Sequence, residues 1–189
     1  KKHDEEAMQN YNKVKDGDYN FSARLRMAYL TNKSGKLNEA RQILHKTATK
    51  NNQQRIQLAM VEAQILRDAK QFESAYQVLM QGLEKLPNQP DLMYEAAMLA
   101  DKAGKHDAFE QMMRKLIEIE PDNAQAYNAL GYGLLERNER VPEAMKLVEK
   151  AYQLAPEDAG IIDSMGFGYY RSGNLSKSLE FLRRAYAAN

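Results

Sequence analysis

The stretch DSMGFGYYRSG, Asp163 to Gly173, sets Gly166 and Gly168 in a GxG step with Gly173 close behind. Glycine-rich loops cradle phosphates because backbone N–H groups reach an oxyanion only where no side chain intervenes. Neither phosphate motif is completed here. A P-loop needs Lys and then Ser or Thr directly after its last glycine, and Asn174 follows Gly173. A dinucleotide fingerprint needs a third glycine at fixed spacing, and no GxG step in the chain has one. Asp163 and Ser164 stand side by side, but the segment around them holds no histidine to act as a base. His3, His45 and His106 are far apart and form no HxxxH pair, so no metal site is expected. The absence of Cys excludes disulfides, thiolate metal sites and cysteine nucleophiles, and leaves cytoplasm and periplasm equally open. These residues predict no enzyme and no cofactor.

The elements that position the glycines show a different logic. Thirty-five residues before Gly166 and Gly168 stand Gly131 and Gly133, in NALGYGLLERN. Upstream of Gly131 the same slot holds Ala97, Ala63 and Ala28, at intervals of 34, 34 and 35 residues. A second row runs Ala40, Ala75, Phe109, Ala144, Ser178, and one helical turn later a third runs Leu44, Leu79, Met113, Val148, Leu182. Another follows at Thr47, Gly82, Leu116, Ala151 and Ala185. The units then close on Pro87, Pro121 and Pro156, with Asn52 in the first. A proline there cannot continue a helix. Gly35, Gly104 and Gly173, with Asn138 in the fourth unit, fall between paired helices, where a left-handed turn suits them.

This pattern resembles the tetratricopeptide repeat, W-x2-L-G-x2-Y followed by A-x3-F and then P. Unit four reads Tyr127, Leu130, Gly131, Leu134, Ala144, Val148, Ala151, Pro156, and unit five reads Ile162, Met165, Gly166, Tyr169, Ser178, Leu182, Ala185. The resemblance implies an all-α, right-handed α-solenoid of helix-turn-helix repeats with about eleven helices. Residues 1–20 read as the second helix of a preceding repeat, with Ala7, Tyr11 and Val14 in its slots and the helix itself near 3–16. Five pairs follow over 21–55, 56–89, 90–123, 124–158 and 159–189, in a single solenoid over 1–189. Each pair leaves an apolar face that only its neighbours can bury. Gly131 and Gly166 serve close helix contact. Gly133 and Gly168 lie outside the general pattern and imply either a further close approach, the favoured reading, or a gap facing a ligand.

In this family the first helix of each pair lines a concave groove, which implies a partner-binding row of Tyr29, Gln64, Tyr94, Met98, Asn128, Tyr132, Asp163, Phe167 and Tyr170. The large aromatics suit recognition, though each could instead pack between helices. The Lys and Asn clamp that some members use on a terminal carboxylate is not recognisable, because its positions hold Met60, Tyr94, Asn128 and Asp163. Residues 124–186 look like a block of bacterial envelope repeat proteins, among them outer-membrane lipoprotein adaptors that hold substrates for a carboxyl-terminal processing protease. That resemblance implies a non-enzymatic scaffold for a protein or peptide partner, with a periplasmic or outer-membrane setting.

The charge balance adds two bounds. Residues 1–55 hold 12 Lys/Arg against 6 Asp/Glu, and residues 56–189 hold 15 against 20, so the net +1 is polarised. The acidic balance after residue 55, without a basic patch interleaved with aromatics, argues against nucleic-acid binding. No apolar run reaches the roughly 18–20 residues of a membrane-spanning helix. The sequence starts at Lys1 in mid-repeat and is read as a piece of a longer array. Exposed Leu179, Leu182 and Tyr186 at its end would favour self-association through solenoid ends.

Overall fold

The computed structural model describes residues 10, 11 and 19–188. Every regular element among them is an α-helix: α1 (Tyr19–Lys33), α2 (Leu37–His45), α3 (Asn52–Asp68), α4 (Phe72–Lys85), α5 (Pro90–Lys102), α6 (His106–Ile119), α7 (Ala124–Glu136), α8 (Val141–Leu154), α9 (Ala159–Arg171) and α10 (Leu175–Ala188). The helix expected near 3–16, with Ala7 and Val14, lies outside the described residues apart from the helical Asn10 and Tyr11. The chain divides into two compact units, Lys1–Lys105 and His106–Asn189.

One device turns each helix pair. Lys36 N–H donates to Thr31 O at 3.2 Å, and Gln71 to Leu66, Lys105 to Ala100, Glu139 to Leu134 and Asn174 to Tyr169 repeat the bond at 2.8–2.9 Å. This is the six-residue closure of a Schellman motif, and it needs a left-handed residue one position earlier. Gly35 (φ 82), Gly104 (φ 76), Gly173 (φ 79) and Asn138 (φ 57) fill that position as expected. In the second pair Lys70 adopts it (φ 58), although its side chain gains nothing from the conformation. Helix starts are fixed by side chains: Gln54 N–H donates to Asn51, Ala126 N–H to Asn123, and Gly160 and Ile161 N–H to Asp158, all within 3.0 Å.

The periodic rows form the core. Ala28, Ala63, Ala97, Gly131 and Gly166 are all buried, as are Ala40, Ala75, Phe109, Ala144 and Ser178. In the third row Leu44, Leu79, Met113 and Val148 are fully buried, whereas Leu182 stays 38% exposed. A Cβ on Gly131 would lie 2.6 Å from Val148 Cγ2 and 3.0 Å from the Ala144 carbonyl oxygen, so α7 and α8 approach at backbone distance. A Cβ on Gly166 would lie 2.8 Å from Leu182 Cγ on α10. The second glycines serve packing between successive pairs. Gly133 faces the Phe109 ring, with Cε1 2.9 Å from the absent Cβ, and Gly168 faces Met145 Sδ and Leu135 Cδ1.

The first pair differs from the later ones. Its second helix α2 stops at His45, 9 residues long against 14 in α4, and α3 opens at Asn52. Thr47 and Thr49 are β-branched, and Thr47 Oγ1 donates to the Ile43 carbonyl at 2.7 Å. Asn52 occupies the slot where later units carry proline. With no ring in the way and Asn51 as cap, α3 gains a turn at its start and reaches 17 residues, against 13 in α5.

Candidate partner-binding site

In the unit of residues 1–105, α1 and α3 enclose a cleft of about 530 Å³. Tyr29 from α1 and Gln64 from α3 both line it, together with Met60 and Arg26. Tyr29 is 45% exposed. The Gln64 amide is held at its own helix: its Nε2 donates to Asp68 Oδ1, and its Oε1 accepts from Arg67, whose other nitrogen pairs with Glu95 at 2.9 Å. Tyr94 and Met98 on α5 are half-buried and do not line this cleft. Burial, with the neighbouring Glu95 charge adding to it, pushes the Tyr94 phenol above its usual range.

The unit of residues 106–189 gathers the other candidates. Tyr132 on α7 and Phe167 on α9 stand 5.4 Å apart between ring centroids, and Phe167 and Tyr170 are 6.4 Å apart at an interplanar angle of 20°. The Arg171 guanidinium lies 5.1 Å above Phe167 and donates to the Glu136 carbonyl at 2.9 Å, which pins the α9 end of this aromatic row to α7. Tyr132 and Tyr170 remain 37% and 56% exposed, Asp163 is exposed, and Phe167 is half-buried beneath them. Asn128 Oδ1 is buried with no hydrogen-bond donor among the described residues. Gly168 on α9 lies against Leu135 of α7 as well as Met145 of α8, and this close packing of α9 on α7 lets their aromatics meet.

Three polar features escape a reading by residue type. Glu62 is 5% exposed and accepts from Arg41 Nε at 2.9 Å, with His45 Nε2 at 2.8 Å; Arg41 and His45 lie one turn apart on α2. Glu62 takes the slot that Ala96, Leu130 and Met165 fill with hydrocarbon, so the repeat alignment itself carried the signal. Glu110 on α6 is bonded by Arg140 and Arg114, which hold its carboxyl near a pKa of about 2, and Arg114 also bridges to Glu143. The third is the pair of amides Gln53 and Gln57, which line the α1–α3 cleft. Among the described residues no three His, Cys, Asp or Glu side chains cluster as metal ligands, and no helix is long and apolar enough to cross a membrane.

Residues 66–131 match a family model described as tetratricopeptide repeat. The chain is 39% identical over 179 residues to the TPR repeat-containing protein PA4667 of Pseudomonas aeruginosa, a match covering 95% of this chain and 30% of that protein. It is 26% identical over 113 residues to a TPR repeat-containing protein of Dictyostelium discoideum, covering 56% of this chain and 43% of the relative. The chain thus spans less than half the length of these curated relatives. Among solved structures, BtubC from P. vanneervenii superposes with a TM-score of 0.78 at 13% identity, over 98% of this chain and 88% of that one. MamA from Desulfovibrio magneticus gives 0.70 at 18%, over 91% and 96%. YrrB, described as a TPR protein with an unusual peptide-binding site, gives 0.61 at 15%, over 95% and 92%. At these identities the likeness is one of fold.

Proposed function

Since this chain belongs to the tetratricopeptide-repeat proteins, we propose that it is a non-enzymatic scaffold that binds a protein or peptide partner on the face of its first helices. Tyr29, Gln64, Tyr94, Met98, Asn128, Tyr132, Asp163, Phe167 and Tyr170 are the residues assigned to that face. The observation that carries the reading is the aromatic row Tyr132–Phe167–Tyr170: two of its rings are exposed although the helices beneath are tightly packed. Rigid aromatics on a preorganised surface give large contact area at small ordering cost. The description of YrrB as a peptide-binding repeat protein supports the same use of the fold.

The narrower part of the proposal is envelope protein processing or assembly, with a protease or an assembly protein as partner. It rests on the resemblance of residues 124–186 to lipoprotein adaptors and on a bacterial relative. The test is affinity capture from a bacterial envelope extract with the protein and with a Tyr132→Ala, Phe167→Ala variant. A defined partner retained by the first and lost by the second is expected. Equal capture by both would remove the aromatic row from the site.

A second reading has its own observation. On α10, Leu175, Leu179, Leu182 and Tyr186 are 64%, 51%, 38% and 87% exposed, an apolar strip suited to self-association. Light scattering decides it: a dimer that survives extension by two further repeats supports the strip as an interface.

A further inference from the structure

We propose that the α1–α3 cleft takes an extended peptide segment carrying an acidic side chain beside an apolar one. This rests on the scaffold reading and names the ligand chemistry of one part of the face. The cleft floor is apolar, formed by Leu25, Ile56, Met60 and Val61. On one side stands Arg26, exposed and without an ion pair among the described residues. Its helix carries Arg24, Arg26 and Lys33 and no carboxylate, so nothing on α1 offsets the charge. Arg24 is turned to Thr47 Oγ1 at 3.1 Å, which leaves Arg26 as the cation facing the cleft.

Gln53 and Gln57 argue for an extended ligand. Both are exposed and line the cleft, and neither amide has a partner among the described residues. One helical turn apart, they offer an amide about every 6 Å. An extended chain presents like-facing backbone groups about every 6.6 Å. A peptide lying along α3 can therefore give each glutamine a backbone N–H and C=O, while alternate side chains fall on the apolar floor. Those contacts do not read sequence, so selectivity falls to Arg26. Asp91 lines the same cleft from α5 and fixes the polarity, since a second acidic residue at that end meets a like charge.

The experiment uses fluorescein-labelled Gly-Ser peptides with amidated C-termini carrying Asp-Leu-Ser-Leu, Lys-Leu-Ser-Leu or Asn-Ser-Asn-Ser, titrated by anisotropy against the whole chain. The Asp-Leu probe is expected to bind about fivefold tighter than the Lys-Leu probe, the size of one partly exposed charge contact, and the gap should shrink with added salt. Arg26→Glu should reverse the preference, Arg26→Gln should abolish it, and Gln57→Ala should weaken both apolar probes. Arg26 is exposed, so circular dichroism of these variants should match the parent. Tyr132→Ala with Phe167→Ala should leave Asp-Leu binding unchanged. Equal binding of the charged probes, or a preference indifferent to Arg26→Glu, overturns the proposal while leaving partner capture through the aromatic row standing. Asp-Leu binding lost only in the aromatic variant would place acidic-peptide recognition elsewhere and overturn it as well.

Discussion

Replacing Gly131 by alanine sets two effects of known sign against each other. In an exposed helix the change would stabilise by about 0.5–1 kcal/mol, because alanine surrenders less backbone entropy. At Gly131 the new methyl would stand 2.6 Å from Val148 Cγ2, 3.1 Å from Leu147 Cβ and 3.0 Å from the Ala144 carbonyl oxygen. Val148 is fully buried and has nowhere to turn, and the carbonyl belongs to the α8 backbone. Relief therefore requires the helices to part, and overpacking of this kind costs about 1–3 kcal/mol. The net expectation is a loss of about 1–2 kcal/mol. Gly168→Ala is the control: its methyl meets mainly Met145 Sδ, an atom on a flexible thioether that can swing aside, with Leu135 Cδ1 at 3.2 Å. That variant should stay within about 0.5 kcal/mol of the parent. Urea unfolding followed by circular dichroism reads both, with the slope required to remain constant. A Gly131→Ala protein as stable as the parent would refute backbone-distance packing of α7 on α8. So would equal losses in the two variants.

Three other perturbations test separate features. Lys70→Gly should raise stability by about 0.5–1 kcal/mol in the same assay, because φ 58 costs a side-chain-bearing residue about 1–2 kcal/mol and the extra backbone entropy that glycine loses on folding offsets part of it. Gly104→Ala should show the opposite sign although open space surrounds it. Arg41→Ala should destabilise by about 1–3 kcal/mol by leaving the buried Glu62 carboxylate short of a partner, whereas Glu62→Leu should fall within about 1 kcal/mol of the parent. The difference arises because Arg41 and His45, 33% and 56% exposed, can be hydrated once Glu62 is gone. The bonds from Arg140 and Arg114 depress the Glu110 carboxyl from 4.5 to about 2, so its contribution is complete above pH 4.5 and is lost as pH falls toward 2. Urea midpoints across that range should fall less steeply for Glu110→Gln.

Much of the fold was legible because the repeat writes each packing requirement several times. One small residue at Ala28 is an accident of composition, but five in register, all buried, state that two helices meet there. The glycine and asparagine turns were legible for the same reason. Lys70 was not, since the shared turn geometry imposes its conformation against residue preference. The early end of α2 is set by Thr47, Thr49 and the Asn51 cap, which act locally and leave no mark on the 35-residue period.

The functional face divides along the same line. Sequence spacing alone determined which residues share a helix face, because a helical turn is a local property. Whether faces on different helices meet depends on how closely the helices pack. Gly168 lets α9 pack on Leu135 of α7, where Tyr132 and Phe167 meet at 5.4 Å, while Tyr94 and Met98, equivalent by spacing, stay outside the α1–α3 cleft. Burial was likewise decided in three dimensions: Glu62 occupies a hydrocarbon slot as a charge only because Arg41 and His45 on α2 reach it, and no period along one helix reports a partner on another.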